Sequence, residues 1–332
     1  MNTERRRIAA LVFVMALASL GCGTQSGSPS RQGPASPAVP SSATPSVPGS
    51  PPPSAPGPAS PSAPNGSDVS GTIESGGLKR TYLLHLPPAS TRLQPTPIVV
   101  AFHGWPMTAD RMADVTHLSA VADAHGFAVL FPQGYGNSWS VPGGLSTPAH
   151  KAGINDVAFA RSLLDSVGAQ HQLDASRAVA AGISNGGHLA QTLGCKLADH
   201  LEGIVTIAAP LPIDPPADCR PSRSLSVLEI VGTDDQKSST FADTLAFWAR
   251  ADKCPGAAVS SSLPDVAQDH TTVTVASFTD CRGGTEVTGY LVNGGGHAWP
   301  GGKPLGSTDE FGITSRQFDA SELIWSFLSR HI

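Results

Sequence analysis

The stretch that most constrains the fold of this chain is Gly-Ile-Ser-Asn-Gly at residues 182–186. It follows a short apolar run at 178–181, typical of a buried strand, and precedes the helix-like pattern of 189–193. A Gly-x-Ser-x-Gly sequence between a strand and a helix predicts a sharp, strained turn that exposes Ser184. The glycines remove Cβ atoms that would block the close approach of strand and helix. The chain has 35 glycines, so such a short match can also arise by chance. The surrounding sequence has to decide whether the match marks a nucleophile.

The context is a regular alternation of apolar runs with helical patterns after residue 68. This alternation predicts an α/β fold with a mostly parallel central sheet covered by helices on both faces. The expected strands are 70–74 and 80–86 (a hairpin), 97–102, 127–131, 178–181, 204–208, 225–231, 272–278 and 287–292, and the expected helices are 110–125, 156–170, 189–193, 241–250 and 318–328.

The first 67 residues differ in composition from the rest. Residues 1–22 resemble an export signal, with three arginines before an apolar run too short to span a bilayer. The run ends at Cys22 in a sequence similar to a bacterial lipoprotein processing site, so we expect lipidation of Cys22, with simple cleavage and release as the alternative. Residues 23–67 hold 13 of the 30 prolines and predict a disordered linker. The predicted catalytic domain is 68–332.

Export affects how the remaining cysteines are interpreted. Four follow Cys22, and an even number in an oxidising compartment predicts two disulfides, for which sequence allows three pairings. We expect Cys195–Cys219 and Cys254–Cys281, because each joins sequence neighbours and ties a helix to the segment before a strand. No two cysteines have the spacing of zinc ligands.

The net charge of the chain bears on which classes of partner it can bind. The formal net charge is -5 and no basic patch is visible, so nucleic acid is an unexpected partner. We expect a monomer that contacts a membrane only through an N-terminal lipid anchor.

Three polar positions, each following a predicted strand, form a candidate catalytic set. After a nucleophile turn of this kind the acid and then the histidine follow in chain order. Gly-Thr-Asp-Asp at 232–235 directly follows the strand at 225–231. Beyond it, His297 lies in a glycine-rich loop after a strand, whereas His270 lies in a polar linker and His331 is near the end of the printed sequence. Ser184 and His297 are therefore the expected nucleophile and base.

An ester oxyanion needs two backbone amides. The N–H of Asn185, directly after the nucleophile, is the first candidate because a helix N-terminus leaves amides free. The second is the N–H of Trp105, in the loop that follows Phe102 and is shaped by His103 and Gly104. This chemistry requires no metal and no organic cofactor.

From about residue 69 onward the chain resembles the polyhydroxybutyrate depolymerase-type esterases, a branch of the α/β-hydrolases that also contains feruloyl and acetyl xylan esterases. The matching stretches are 99–104, 131–134, 155–157, 182–187, 193–195, 232–235, 295–301 and 324–327. The resemblance implies an α/β-hydrolase fold and the triad Ser184, Asp235 and His297. It also implies that Trp139 and Trp299 border the substrate cleft.

Two positions depart from the family pattern. Trp105 stands where many relatives have Cys, and Val231 stands where they often have His. A large indole beside the oxyanion loop leaves less room for the acyl group, so the family's substrate does not transfer directly.

The expected function is an exported serine esterase that acts on hydroxyalkanoate or other short-acyl esters. Feruloyl or acetyl esters of plant polysaccharides are the alternative substrates. More distant alternatives are a peptidase of related fold and a tethered binding protein whose hydrolase site is inactive.

Overall fold

The computed structural model describes residues 65–89, 91–143, 146–211, 219–235 and 238–330. The predicted export signal, Cys22 and almost all of the predicted linker lie outside these residues. The described strands are β1 (Ser67–Ser75), β2 (Leu78–Leu86), β3 (Thr96–Phe102), β4 (Ala128–Pro132), β5 (Leu173–Ile183), β6 (Gly203–Ile207), β7 (Ser226–Gly232), β8 (Val259–Ser262), β9 (Thr272–Phe278) and β10 (Val287–Asn293). The described helices are α1 (Ala109–Thr116), α2 (Leu118–His125), α3 (Pro148–Lys151), α4 (Asp156–His171), α5 (Asn185–Lys196), α6 (Phe241–Ala251), α7 (Thr308–Phe311) and α8 (Ala320–Ser329).

The described strands form one sheet in the order β1-β2-β4-β3-β5-β6-β7-β10-β9-β8. Its centre, β4-β3-β5-β6-β7-β10, is parallel. The two strands at each end pair antiparallel. Parallel neighbours need crossover connections, and described helices lie in most of them. The predicted mostly parallel sheet is confirmed.

Apolar side chains of the central strands alternate between the two faces of the sheet, because successive residues of a strand point in opposite directions. In β3, Ile98 and Val100 pack into one core with helices α4, α5 and α6, and Val99 packs into a second core with α1, α2 and α8. Every residue of β3 and of β7 is buried, as expected for strands covered on both faces.

The single helix predicted at 110–125 is two helices in the structure. His117 lies between α1 and α2 with φ 44°, in the left-handed region that interrupts a helix. Its ring contacts Asp319 (Nε2–Oδ2 2.7 Å), which ties the break to the start of α8. Strand β8 and the four-residue helices α3 and α7 were not predicted, because they are short and carry no clear apolar period.

Within the described residues there are two disulfides, Cys195–Cys219 and Cys254–Cys281, the pairs expected from the sequence. They close segments with sequence separations of 24 and 27 residues. In the chain-entropy model each stabilises the fold by about 3 kcal/mol. No helix in the described parts of the chain has the length and apolar character needed to cross a membrane.

Candidate active site

Ser184 lies at the turn from β5 into α5, with φ 55° and ψ -122°. A side chain is rarely held in this backbone conformation, and such strain is concentrated at functional sites. The surrounding glycines are required by close contacts. A Cβ on Gly182 would lie 2.4 Å from the Gly186 backbone, and one on Gly186 would lie 2.1 Å from the Phe102 oxygen. The sequence therefore folds here into the strained turn predicted for a nucleophile.

Asp235 and His297 form a hydrogen-bonded pair, with Asp235 Oδ2 2.7 Å from His297 Nδ1. Asp235 follows β7 and is 7% exposed, whereas the neighbouring Asp234 is exposed. The Oδ1 atom of Asp234 accepts a hydrogen bond from the Thr233 hydroxyl at 3.3 Å. Of the two adjacent acids, the one that contacts the imidazole is Asp235.

The loops that carry this pair pass close to each other. A Cβ on Gly232 would lie 2.2 Å from the Gly295 oxygen, so only glycine allows the loop after β10 to cross the end of β7. The His297 N–H donates to the Phe311 carbonyl at 2.6 Å, which fixes the backbone at the histidine. The Asp235 carboxylate also fixes the tautomer of the His297 ring. Nδ1 carries the proton that it donates to this carboxylate, so Nε2 is left as the acceptor.

Sheet topology brings the three candidate residues to one edge. Strands β5, β6, β7 and β10 are consecutive parallel neighbours, so their carboxyl ends lie at the same edge of the sheet. Ser184 follows β5, Asp235 follows β7 and His297 follows β10. This edge is where α/β sheets commonly hold ligands.

The loop after β3 reaches the same edge. A Cβ on Gly104 would lie 3.4 Å from the Ser184 Cβ. His103 is fully buried, and burial lowers its pKa to about 4. The neutral ring accepts from the Gly134 N–H at Nε2 (3.0 Å), so its Nδ1 donates to the Gly104 carbonyl (2.9 Å). The peptide whose N–H belongs to Trp105 is therefore anchored at its oxygen.

The expectation that Trp139 and Trp299 border the substrate cleft is wrong. Both side chains are 0% exposed. The Trp139 ring packs edge-on against Phe102 at 5.3 Å between centroids, and Trp299 lies in the core under α8 and donates to Ser321 Oγ at 3.1 Å. The local sequence around a tryptophan does not show whether its side chain is buried or exposed. The exposed tryptophan on this edge is Trp105, at 46%.

One buried carboxyl near the site was not predicted. Glu229 lies in β7, fully buried, and its Oε2 accepts from Gln191 Nε2 at 2.9 Å and from the Thr206 hydroxyl. Burial raises the pKa of Glu229 well above its usual value, and the charge of Asp235 raises it further. The signal in the sequence was one acidic residue inside the apolar run 225–231.

A buried ion pair holds the segment around residue 140. Arg80 Nη2 donates to Asp156 Oδ1 at 2.9 Å, and the Ser140 N–H donates to Asp156 Oδ2 at 2.7 Å. The guanidinium also lies over the Phe159 ring, 3.8 Å from its centroid. Breaking such a pair leaves an uncompensated buried charge, so the segment around residue 140 is held firmly.

Comparison with known proteins relates the chain to esterases. The family model "Esterase PHB depolymerase" matches residues 80–206. A putative esterase, NocK from Nocardia uniformis subsp. tsuyamanensis, is 28% identical over 76% of this chain and 80% of its own length. Feruloyl esterase B from Piromyces equi is 26% identical over 68% of this chain, but the match spans only 44% of that larger protein.

Among solved structures, the acetyl xylan esterase from Aspergillus awamori superposes with a TM-score of 0.58. The match covers 79% of this chain and 99% of that one, at 10% sequence identity. This likeness shows the fold, which is that of the α/β-hydrolases. The family match and the esterase relatives support one conclusion: the chain is a carboxylic ester hydrolase similar to the polyhydroxybutyrate depolymerase-type esterases.

Proposed function

We propose that Ser184, His297 and Asp235 form a catalytic triad that hydrolyses esters through an acyl-enzyme. The observation that carries the proposal is the 2.7 Å contact between His297 Nδ1 and the shielded Asp235 carboxylate. It occurs at the sheet edge where Ser184 occupies its strained turn. A nucleophile, a base and an orienting acid are the parts that this chemistry needs.

In the proposed mechanism, His297 Nε2 takes the Ser184 hydroxyl proton as Oγ attacks the ester carbonyl. Asp235 stabilises the imidazolium that forms. The backbone N–H groups of Trp105 and Asn185 donate to the oxyanion of the tetrahedral intermediate. His297 then protonates the leaving alcohol, and a water activated by the same imidazole releases the acid and restores Ser184.

The proposed substrates are hydroxyalkanoate or other short-acyl esters. The match of residues 80–206 to the esterase family model supports this class. The indole of Trp105 is exposed and belongs to the residue whose N–H is a proposed oxyanion donor, so a bulky side chain at this position favours small acyl groups. Feruloyl or acetyl esters of plant polysaccharides are the second candidate, supported by the similarity to feruloyl esterase B.

We further propose that the protein is exported and works as a monomer. Two disulfides are typical of oxidising compartments and support export. The proposed organisation is an export signal at 1–22 with Cys22 lipidated, a linker at 23–67 and a catalytic domain at 68–332. Replacing Cys22 with Ala should abolish fatty-acid labelling of the cell-bound protein, and unchanged labelling would contradict lipidation at this position.

The function is tested with p-nitrophenyl acetate, p-nitrophenyl butyrate, methyl ferulate and hydroxybutyrate oligomers. We expect hydrolysis of the short p-nitrophenyl esters and loss of about 10³-fold or more in kcat for Ser184→Ala. Ser162→Ala, at an exposed serine on α4, is the matched control and should keep full activity. A folded protein that hydrolyses none of these esters, or an active Ser184→Ala variant, would contradict the proposal.

A further inference from the structure

The fully buried Trp139 makes polar contacts with both segments that hold the proposed oxyanion donors. Its indole Nε1–H donates to the His103 carbonyl at 2.8 Å. Its backbone N–H donates to Asn185 Oδ1 at 2.7 Å, and its carbonyl accepts from Asn185 Nδ2 at 3.2 Å. One residue therefore joins the loop after β3 to the first residue of α5.

The contact with the β3 loop fixes the peptide next to the donor. Trp139 holds the carbonyl of His103, and His103 in turn holds the carbonyl of Gly104. Two consecutive peptides before the Trp105 N–H are thus anchored at their oxygens. A planar peptide directs its N–H opposite to its C=O, so anchoring the oxygen also sets the direction of the Trp105 N–H.

The contact with α5 involves the side chain of Asn185. Its amide pairs with the Trp139 backbone in both directions, while its own backbone N–H is the second proposed donor. The Trp139 segment is itself held, since the Thr147 hydroxyl donates to the Trp139 carbonyl at 2.9 Å and the next residue bonds Asp156. The link between the two donors is therefore anchored in the core.

From these contacts we infer that Trp139 is a positioning residue that sets the distance and direction of the two oxyanion donors relative to each other. The inference rests on the proposed function, because it assigns a role only if an oxyanion forms at this edge. Donors aimed at the oxyanion act on the transition state more than on the bound ester. Loosening them should therefore lower kcat and leave KM nearly unchanged.

The test variant is Trp139→Phe, which removes the indole N–H and keeps an aromatic ring in the core. Trp248→Phe is the matched control. Trp248 is also fully buried, and its Nε1–H donates to Gln191 Oε1 at 2.7 Å rather than to the loop after β3 or to Asn185. Loss of one oxyanion donor costs about 10²- to 10³-fold in kcat, so a displaced donor should cost less, about 10- to 100-fold.

The readouts are kcat and KM for p-nitrophenyl butyrate, the inhibition constant of a short alkyl trifluoromethyl ketone, and Tm. The ketone forms a tetrahedral adduct whose oxyanion needs the same two donors. For Trp139→Phe we expect kcat to fall about 10- to 100-fold with KM within about threefold, and the inhibition constant to rise by the same factor as kcat falls. Trp248→Phe should lower Tm as much or more and keep its kcat and its inhibition constant.

A second variant keeps the test valid if Trp139→Phe does not fold. Asn185→Ala retains the backbone N–H but removes both side-chain bonds to Trp139, and it should give the same pattern. In the double variant the losses should not add, because the two residues form one link. Wild-type kcat in either folded variant, equal losses in Trp248→Phe, or additive losses would overturn the inference. If the wild-type protein itself neither cleaves esters nor binds the ketone, the proposed function fails instead.

Discussion

The two adjacent acids at the end of β7 give the sharpest prediction, because Asp235 contacts His297 and Asp234 is exposed. In Asp235→Asn the new amide would donate to Nδ1, so the proton of the imidazole would shift to Nε2. That nitrogen could then no longer accept the Ser184 proton. We expect kcat to fall about 10³- to 10⁴-fold, the loss found when a triad acid becomes an amide.

Asp234→Asn is the control, since it removes one negative charge from the same loop. An exposed charge interacts through water, where even a contact at about 4 Å is worth about 1 kcal/mol. The expected loss in kcat is therefore less than about tenfold. Initial rates with p-nitrophenyl butyrate measure both variants, and circular dichroism checks that each stays folded. If Asp234→Asn were the crippled variant, the assignment of the acid would be wrong by one residue.

Three further perturbations follow from contacts in the structure. Gly186→Ala places a Cβ 2.1 Å from the Phe102 oxygen and should destabilise the fold by about 3 kcal/mol or more in urea unfolding; a variant as stable as wild type would refute this close approach. Burial raises the pKa of Asp252 to about 7, so the folded state binds this proton more tightly than the unfolded state and stability falls as pH rises from about 4 to 7. Asp252→Asn should remove this fall in the free energy of unfolding, which amounts to up to about 4 kcal/mol by pH 8. An unchanged pH dependence of the free energy of unfolding in the variant would contradict the prediction. Removing the Cys254–Cys281 bond by a double Ser substitution should cost about 3 kcal/mol, and an unchanged urea midpoint would argue against it.

Sequence reasoning could single out the residues of the candidate site because they depend on chain order and local pattern. A Gly-x-Ser-x-Gly turn, an acid after a later strand and a histidine in a glycine-rich loop are each visible in a few residues. Parallel strands then bring their carboxyl ends to one edge, so no long-range contact had to be guessed. The Asp235–His297 contact joins residues that the sequence had already singled out.

What the sequence could not reveal depends on tertiary packing. Trp139 and Trp299 were expected at the cleft, but burial is a property of the whole core and no local pattern reports it. The break between α1 and α2 lies at His117, whose ring contacts Asp319, about 200 positions later in the chain. Glu229 is buried in β7, where Thr206 from strand β6 and Gln191 from helix α5 are its partners, an arrangement that only the folded chain creates.

The central claim is that Ser184 forms an acyl-enzyme, and trapping that intermediate tests it most directly. The protein is mixed with p-nitrophenyl acetate, quenched in acid within the first turnover and digested for mass spectrometry. The account predicts an acetyl group on the peptide that contains Ser184, together with a burst of p-nitrophenol equal to the enzyme concentration, and neither in Ser184→Ala. Steady ester cleavage with no acetyl group on Ser184, or with the acetyl group on another residue, would contradict it.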